Sequence, residues 1–139
     1  YNFTDPAVMK YISLRGYTIP DLLDMYRRRF DEHGYTFWAL CDGDGRLIGD
    51  VGFGTYEQTG DPELGWTLAQ HAWGNGYATE AARACVDALF AHTQHDRIVA
   101  LVDTRNDRSL RTAERIGLSR VGEVDHPWHR HVLFEVTRP

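Results

Sequence analysis

The chain has 139 residues, 42% hydrophobic and 25% charged, with a formal net charge of −5. That length suits one domain (1–139) whose core needs no disulfide or metal staple. The composition is that of a soluble globular protein, and no apolar run approaches the ~20 residues a membrane-spanning helix needs. No membrane partner is expected on those grounds, and an acidic balance speaks against nucleic acid and leans weakly toward cationic amines.

The one basic cluster, Tyr26 to Phe30 (YRRRF), runs straight into Asp31 and Glu32 and reads as a solvated helix face. Cys41 and Cys85 fall among apolar residues, which suits small buried hydrophobes in a reducing compartment, with the cytoplasm as the expected address. No secretory signal is visible, and the chain opens on Tyr1 rather than Met, which leaves an upstream piece open.

In chain order, Asp5-Pro6 followed by VMKYI predicts a short helix ending near Gly16. DLLDMYRRRF, after Pro20, has apolar residues at 22, 23, 26 and 30, a helical stripe with Asp21 at its amino end. The period then changes. TFWALC (Thr36 to Cys41) and RLIGDVGFGTYE (Arg46 to Glu57) flank Asp42-Gly43-Asp44-Gly45, a hairpin signal, and ELGWTL (Glu63 to Leu68) continues the meander. ATEAARACVDALFAHT carries one apolar face at i, i+3, i+4. RIVALVD (Arg97 to Asp103) is nearly all apolar, as a central strand should be. DRSLRTAERIG is a second long helix closed by Gly117, and SRVGEVD and HVLFEVTR form a last hairpin turning at Asp125 to His129.

The stretch WGNGYATEA (Trp73 to Ala81) carries the chemistry. A helix amino terminus leaves N–H groups unpaired and attracts anions, and glycines at 74 and 76 let those donors converge without a Cβ in the way. A nucleoside triphosphate loop would need Lys-Ser/Thr after the second glycine, where Tyr77-Ala78 stands. A dinucleotide fingerprint would need a third glycine, where Thr79 stands, although Asp103 lies where a ribose-binding acid would be expected. AQHAW also separates the glycines from their strand, and the preceding hairpin does not suit a doubly wound sheet.

HAWGNG (His71 to Gly76) resembles the Gln/Arg-x-x-Gly-x-Gly/Ala loop of the GCN5-related N-acetyltransferase (GNAT) superfamily, with His71 in place of Gln or Arg. The run ELGWTL…WGNGYATEA…NDRSLRTAERIGL…VGE is similar to the branch containing the ribosomal-protein N-terminal-alanine and -serine acetyltransferases. The resemblance implies a mixed α/β fold: a mostly antiparallel sheet with a splayed parallel pair at its centre and helices on both faces. The family's usual first strand, Leu-x-Leu-Arg, is missing. Thr36 to Cys41 would then be an exposed edge, so either the chain is truncated or another element covers it.

The resemblance also implies acetyl-CoA as co-substrate and a primary amine, a protein N-terminus or a small molecule, as acceptor. The coenzyme would be held by Trp66, Thr67 and Leu68 on the splayed strand, by Trp73, Gly74, Asn75, Gly76, Tyr77, Ala78 and Thr79 around the diphosphate, and by Asn106 at the pantetheine. The indoles of Trp66 and Trp73 read as packing rather than ligand stacking. Glu123 matches the glutamate of the ribosomal-protein branch, and a solvated strand position explains it about as well. Many relatives carry a tyrosine acid seven residues after the asparagine; Ala113 stands there, and the resemblance implies Ser109 as the replacement that would protonate the leaving thiolate, although by itself Ser109 reads as an ordinary first-turn serine. A base matters because a lysine-like amine of pKa ~10.4 is neutral only about once in 10³ at pH 7, whereas an α-amine of pKa near 8 needs less help.

Seven histidines, among them His126, His129 and His131, show no spacing with carboxylates or cysteines that closes a metal site, so no metal is expected; His126, Trp128 and His129 read as turn residues at the acceptor mouth. A binding-only acyl-CoA sensor of the same fold is the second hypothesis and a nicotinamide-dinucleotide protein the third. Oligomeric state is open, a homodimer included.

Overall fold

The computed structural model describes residues 4–12, 16–126 and 129–139. In chain order the elements are α1 (Pro6–Met9), α2 (Ile19–His33), β1 (Phe37–Cys41), β2 (Leu47–Thr55), β3 (Pro62–Leu68), a 3₁₀ turn (Gln70–Ala72), α3 (Tyr77–His92), β4 (Arg97–Asp103), α4 (Asp107–Ile116), β5 (Ser119–Asp125) and β6 (Arg130–Thr137).

Local chemistry explains the boundaries. Asp5 caps α1 by accepting from the Ala7 N–H at 2.9 Å, but the helix ends at Met9, well short of Gly16; residues 13–15 lie outside the described residues. α2 starts two residues before Asp21, because Thr18 and Asp21 form a reciprocal capping box and Pro20 is tolerated in a first turn, where its missing N–H costs nothing. The β1–β2 turn is held by Asp42, whose carboxylate accepts from the N–H groups of Asp44 and Arg46, each at 2.9 Å.

The six strands form one sheet in the order β1-β2-β3-β4-β6-β5. Every neighbouring pair is antiparallel except β3 and β4, which α3 connects and which run parallel. Their ladder has a single register pair, Glu63 opposite Val99, whereas β3 stays paired with β2 as far as Leu68 opposite Gly49. Past Glu63, therefore, β3 follows β2 and leaves β4, and the sheet opens at its centre.

Alternation along β4 assigns the faces. Ile98, Ala100 and Val102 join Val51, Phe53, Leu64 and Phe134 under Ala82 and Leu89 of α3 and Ala113 and Ile116 of α4. Val99 and Leu101 point the other way and pack with Tyr56, Leu133 and Val124. With Ile98, Val99 and Ala100 all fully buried, β4 is central and covered on both faces. α2 lies on the face opposite α3, where the Tyr26 ring meets Phe37 at 5.3 Å.

β1 is an outer strand, and Trp38 on it is 49% exposed against the edge of Phe30. One expectation is corrected: Cys41 is exposed, not buried, because the β1–β2 register breaks between Leu40 and Cys41 as the strand enters its turn. Cys85 is half-buried against the core, and burial pushes its thiol pKa up.

Phe134 is among the largest fully buried side chains. Phe134→Ala is expected to lower the unfolding free energy by about 3–5 kcal/mol, read from the midpoint of a urea titration at unchanged slope.

Candidate functional site

The amino end of α3 differs from those of the other helices. α1 is capped by Asp5, α2 by Thr18, and α4 by Asn106, whose side chain accepts from the Ser109 N–H at 3.3 Å. α3 has Gly76 at its cap position, in the left-handed region at φ 78°, and no side chain closes its first turn. Gly74 is left-handed too, at φ 81°. A Cβ at either glycine would meet no atom within 4 Å, so glycine is required here by conformation and not by crowding. The loop turns twice through left-handed backbone and delivers the first N–H groups of α3, unclaimed by side chains, toward open space.

That space is a cavity of about 390 Å³. Leu68, at the end of β3, forms one wall; Ala72 and the loop from Trp73 to Thr79, Asn75 excepted, form the floor. The far wall is α4, which contributes Arg108, Arg111, Thr112 and Arg115. The arginines stand at i, i+3 and i+7, which places them along one helix face. The lining holds no carboxylate, so its field is positive in a chain that is acidic overall.

The loop is braced from within. The Trp73 indole N–H donates to the Leu68 carbonyl at 3.0 Å, tying the loop to the end of β3. The Arg108 guanidinium lies over the same indole at 3.3 Å from the ring centroid, which ties α4 to it as well. The Asn75 amide donates to the carbonyls of Ala72 and Trp73, each at 3.2 Å, holding the turn closed.

Seven of the sequence-predicted residues, Leu68, Trp73, Gly74, Gly76, Tyr77, Ala78 and Thr79, meet in this cavity. Others lie outside its lining. Asn75 braces the loop from behind, Trp66 packs against the core, and Thr67 faces the opposite side of the sheet, beside Asp50. Asn106 caps α4, and Ser109 sits half-buried in the first turn of that helix. Glu123 is exposed on the outer strand β5, and its carboxylate accepts from Arg130 at 3.0 Å. Ala113 is fully buried in the core, so position 113 does not reach the cavity.

Sequence reading missed Arg108, Arg111 and Arg115. Their helical spacing was visible, but nothing before the fold shows that this face of α4 looks at the glycine loop. Asp103 is also settled by its surroundings. Its carboxylate accepts from the Arg105 side chain at 3.0 and 2.7 Å and from the Arg105 N–H at 2.9 Å, so it serves its own loop. Arg105 holds the Asp103 pKa down to about 2. The His126 and His131 rings lie 4.3 Å apart, and the His129 imidazole is 4.0 Å from Asp103. Trp128 lies outside the described residues, and among those described no group of three His, Cys, Asp or Glu side chains is placed to hold a metal. No helix among them is long and apolar enough to cross a membrane.

The sequence profile of the acetyltransferase (GNAT) domain matches residues 1–119. YkkB of Bacillus subtilis (strain 168), an uncharacterized protein, is 36% identical over 121 residues, covering 84% of this chain and 70% of its own length. Among solved structures, a putative GnaT-family acetyltransferase from Bordetella pertussis superposes with a TM-score of 0.78 at 26% identity, covering 92% of this chain and 84% of that one. AAC(6')-Ib, solved in complex with Parmomycin and AcetylCoA, superposes with a TM-score of 0.80 over 99% of this chain and 84% of its own; at 20% identity that likeness is one of fold.

The Asp103–Arg105 pair generates a pH prediction. A carboxyl held near 2 when folded, against an ordinary 3.8, adds stability that is present above about pH 4 and is lost as pH falls toward 2. Arg105→Met is expected to lower stability most at neutral pH and much less near pH 2, with acid unfolding moved to higher pH, measured by urea unfolding followed by circular dichroism across pH 2–7.

Proposed function

Since the chain belongs to the GNAT acetyltransferase family, we propose that it moves the acetyl group of acetyl-CoA to a primary amine by direct attack in a ternary complex. The observation that carries this reading is the meeting of an uncapped α3 amino end with Arg108, Arg111 and Arg115 across one cavity, beside the open end of the β3–β4 pair. A diphosphate needs convergent N–H donors and guanidinium charge, and both are present without a competing carboxylate. The AcetylCoA in the AAC(6')-Ib complex supports the same ligand here.

Acetyl-CoA supplies an activated thioester; the chain's residues do the rest. Backbone donors from Gly74 to Thr79 and the α4 arginines hold the phosphates. The stretch of β3 from Leu64 to Leu68, unladdered toward β4, lends its backbone to the pantetheine arm as one strand does to another. An N–H near Leu68 polarises the acyl carbonyl where charge develops. Asn106 caps α4 through its side-chain oxygen, which leaves its amide N–H₂ for the arm. Ser109 delivers the proton that the departing sulfur takes up. Glu123, held by Arg130, passes protons to solvent through water. The likeness to the ribosomal-protein branch rests on the sequence motifs, and both a protein N-terminus and a small amine suit the site.

The sensor reading is favoured by one observation, the burial of Ala113 where many relatives place a tyrosine acid. Free-thiol release from acetyl-CoA against a panel of amines separates the two readings. The enzyme reading expects amine-dependent release, falling roughly tenfold or more in Ser109→Ala at unchanged coenzyme A affinity. Release no greater with amines than without them contradicts it. Arg111→Glu is expected to weaken coenzyme A binding at least about tenfold by calorimetry, since a charge-assisted phosphate contact becomes a repulsive one.

A further inference from the structure

Asp50 has no role in the chemistry described so far, yet it stands next to it. It lies on β2 directly opposite Thr67 of β3, and cross-strand partners share a face. Leu68, one residue on, faces the coenzyme cavity, so Asp50 and Thr67 occupy the other side of the strand at the open end of the splay. The Thr67 hydroxyl donates to the Asp50 carboxylate. Tyr26 of α2 is near enough to feel the Asp50 charge, and its ring rests on Phe37 of β1, whose own ring lies where a side chain at Gly65 would be, 2.9 Å from the Cβ that Gly65 lacks.

The carboxylate is thus half-buried, with the Thr67 hydroxyl bonded to it. None of the ion pairs among the described residues includes it. Charged groups on the elements packed against it include Arg29 of α2, whose guanidinium lies 5.9 Å from the Tyr26 ring, and Glu63 of β3, which pairs with Gly54 on the same face of the hairpin. Burial raises the Asp50 pKa to about 6, and burial first, then the Asp50 charge, raises that of Tyr26 to about 12, against the opposing pull of Arg29. At pH 7 Asp50 is therefore mostly ionised, and among the described residues no ion pair gives it a counter-ion. Such a group is costly to the fold and well matched to a visiting cation.

We propose that Asp50, steadied by Thr67, binds the ammonium of a basic alkylamine acceptor on the face opposite the coenzyme and takes its proton. This deepens the acetyltransferase reading and rests on it. The alkylammonium gives one proton to the Asp50 carboxylate; the freed nitrogen lone pair forms the C–N bond to the acyl carbon; the C–S bond breaks. The second nitrogen proton goes, by way of Ser109 or water, to the leaving sulfur. The products are the N-alkylacetamide, coenzyme A thiol and a protonated Asp50, which releases its proton to solvent. The substrate class is an amine that is cationic at neutral pH, in preference to an arylamine that is already neutral.

Asp50→Asn keeps the shape and the Thr67 contact and removes the charge. With cadaverine as probe, kcat/KM is expected to fall roughly 10²-fold or more, while aniline loses no more than about fivefold. The wild-type limb near pH 6 in the cadaverine profile should vanish. Calorimetry should show coenzyme A affinity unchanged and cadaverine affinity for the protein–coenzyme A complex reduced at least about tenfold. Thermal stability gives a readout independent of turnover. A folded pKa above the ordinary 3.8 means that charging Asp50 lowers stability as pH rises from about 4 through 6, so Asp50→Asn should raise Tm at pH 8 and not at pH 4. As a second variant, Asp50→Ala should regain cadaverine turnover when formate is added.

Equal losses for cadaverine and aniline, or a cadaverine kcat/KM within about threefold of wild type at intact coenzyme binding, would overturn the assignment and leave the acetyltransferase reading standing. Failure of the wild-type protein to bind coenzyme A would overturn both.

Discussion

The architecture depends on a parallel strand pair that is closed at one end and open at the other. The closed end is pinned by Arg97, the first residue of β4. Its guanidinium donates to Asp61, just ahead of β3, at 3.2 Å and to Glu135 on β6 at 2.6 Å. One cation thereby joins three neighbouring strands at the point where β3 and β4 still touch, Glu63 opposite Val99. All three side chains are largely shielded, which makes such a network worth more than an exposed pair. β3 then follows β2, its antiparallel partner along the whole hairpin, and a gap toward β4 results.

The consequences lie on the two faces of that gap. On one, α3 and α4 bring a glycine-cornered helix terminus against three arginines, and Trp73 bonds the loop to Leu68 while lying under Arg108. On the other, which α2 covers, stands the Asp50 carboxylate, bonded to Thr67 and in none of the ion pairs among the described residues. An anionic ligand and a cationic one are thus invited from opposite sides toward the same opening. The cap of α3 has its place in this division. A serine or aspartate at position 76 would satisfy the helix end internally and compete with an incoming phosphate; glycine leaves the donors to the ligand.

Much of the order of elements was legible in the sequence because the periods are clean: the Asp42–Gly45 turn, the unbroken apolar run of β4, and the Gly117 cap all act locally. The α3 loop was legible for the same reason, since two left-handed turns demand two glycines. What stayed hidden is relational. Arg108, Arg111 and Arg115 look like an ordinary solvated helix face until α4 is packed beside α3. Asp50 looks like a polar residue on an alternating strand until register sets it against Thr67. The short first helix and the exposed Cys41 went the other way. The Asp5-Pro6 segment suggested more helix, and the apolar neighbours of Cys41 more burial, than the turn at Met9 and the irregular end of β1 allow.

The central claim, that the α3 amino end and the α4 arginines together hold a coenzyme's phosphates, is tested most directly by a ¹⁵N-resolved NMR titration with coenzyme A. The account predicts saturable shifts concentrated in the backbone amides of residues 74 to 79 and in the side-chain N–H signals of Arg108, Arg111 and Arg115. Saturable shifts that spare both groups, or no shifts at all in the folded protein, would contradict it.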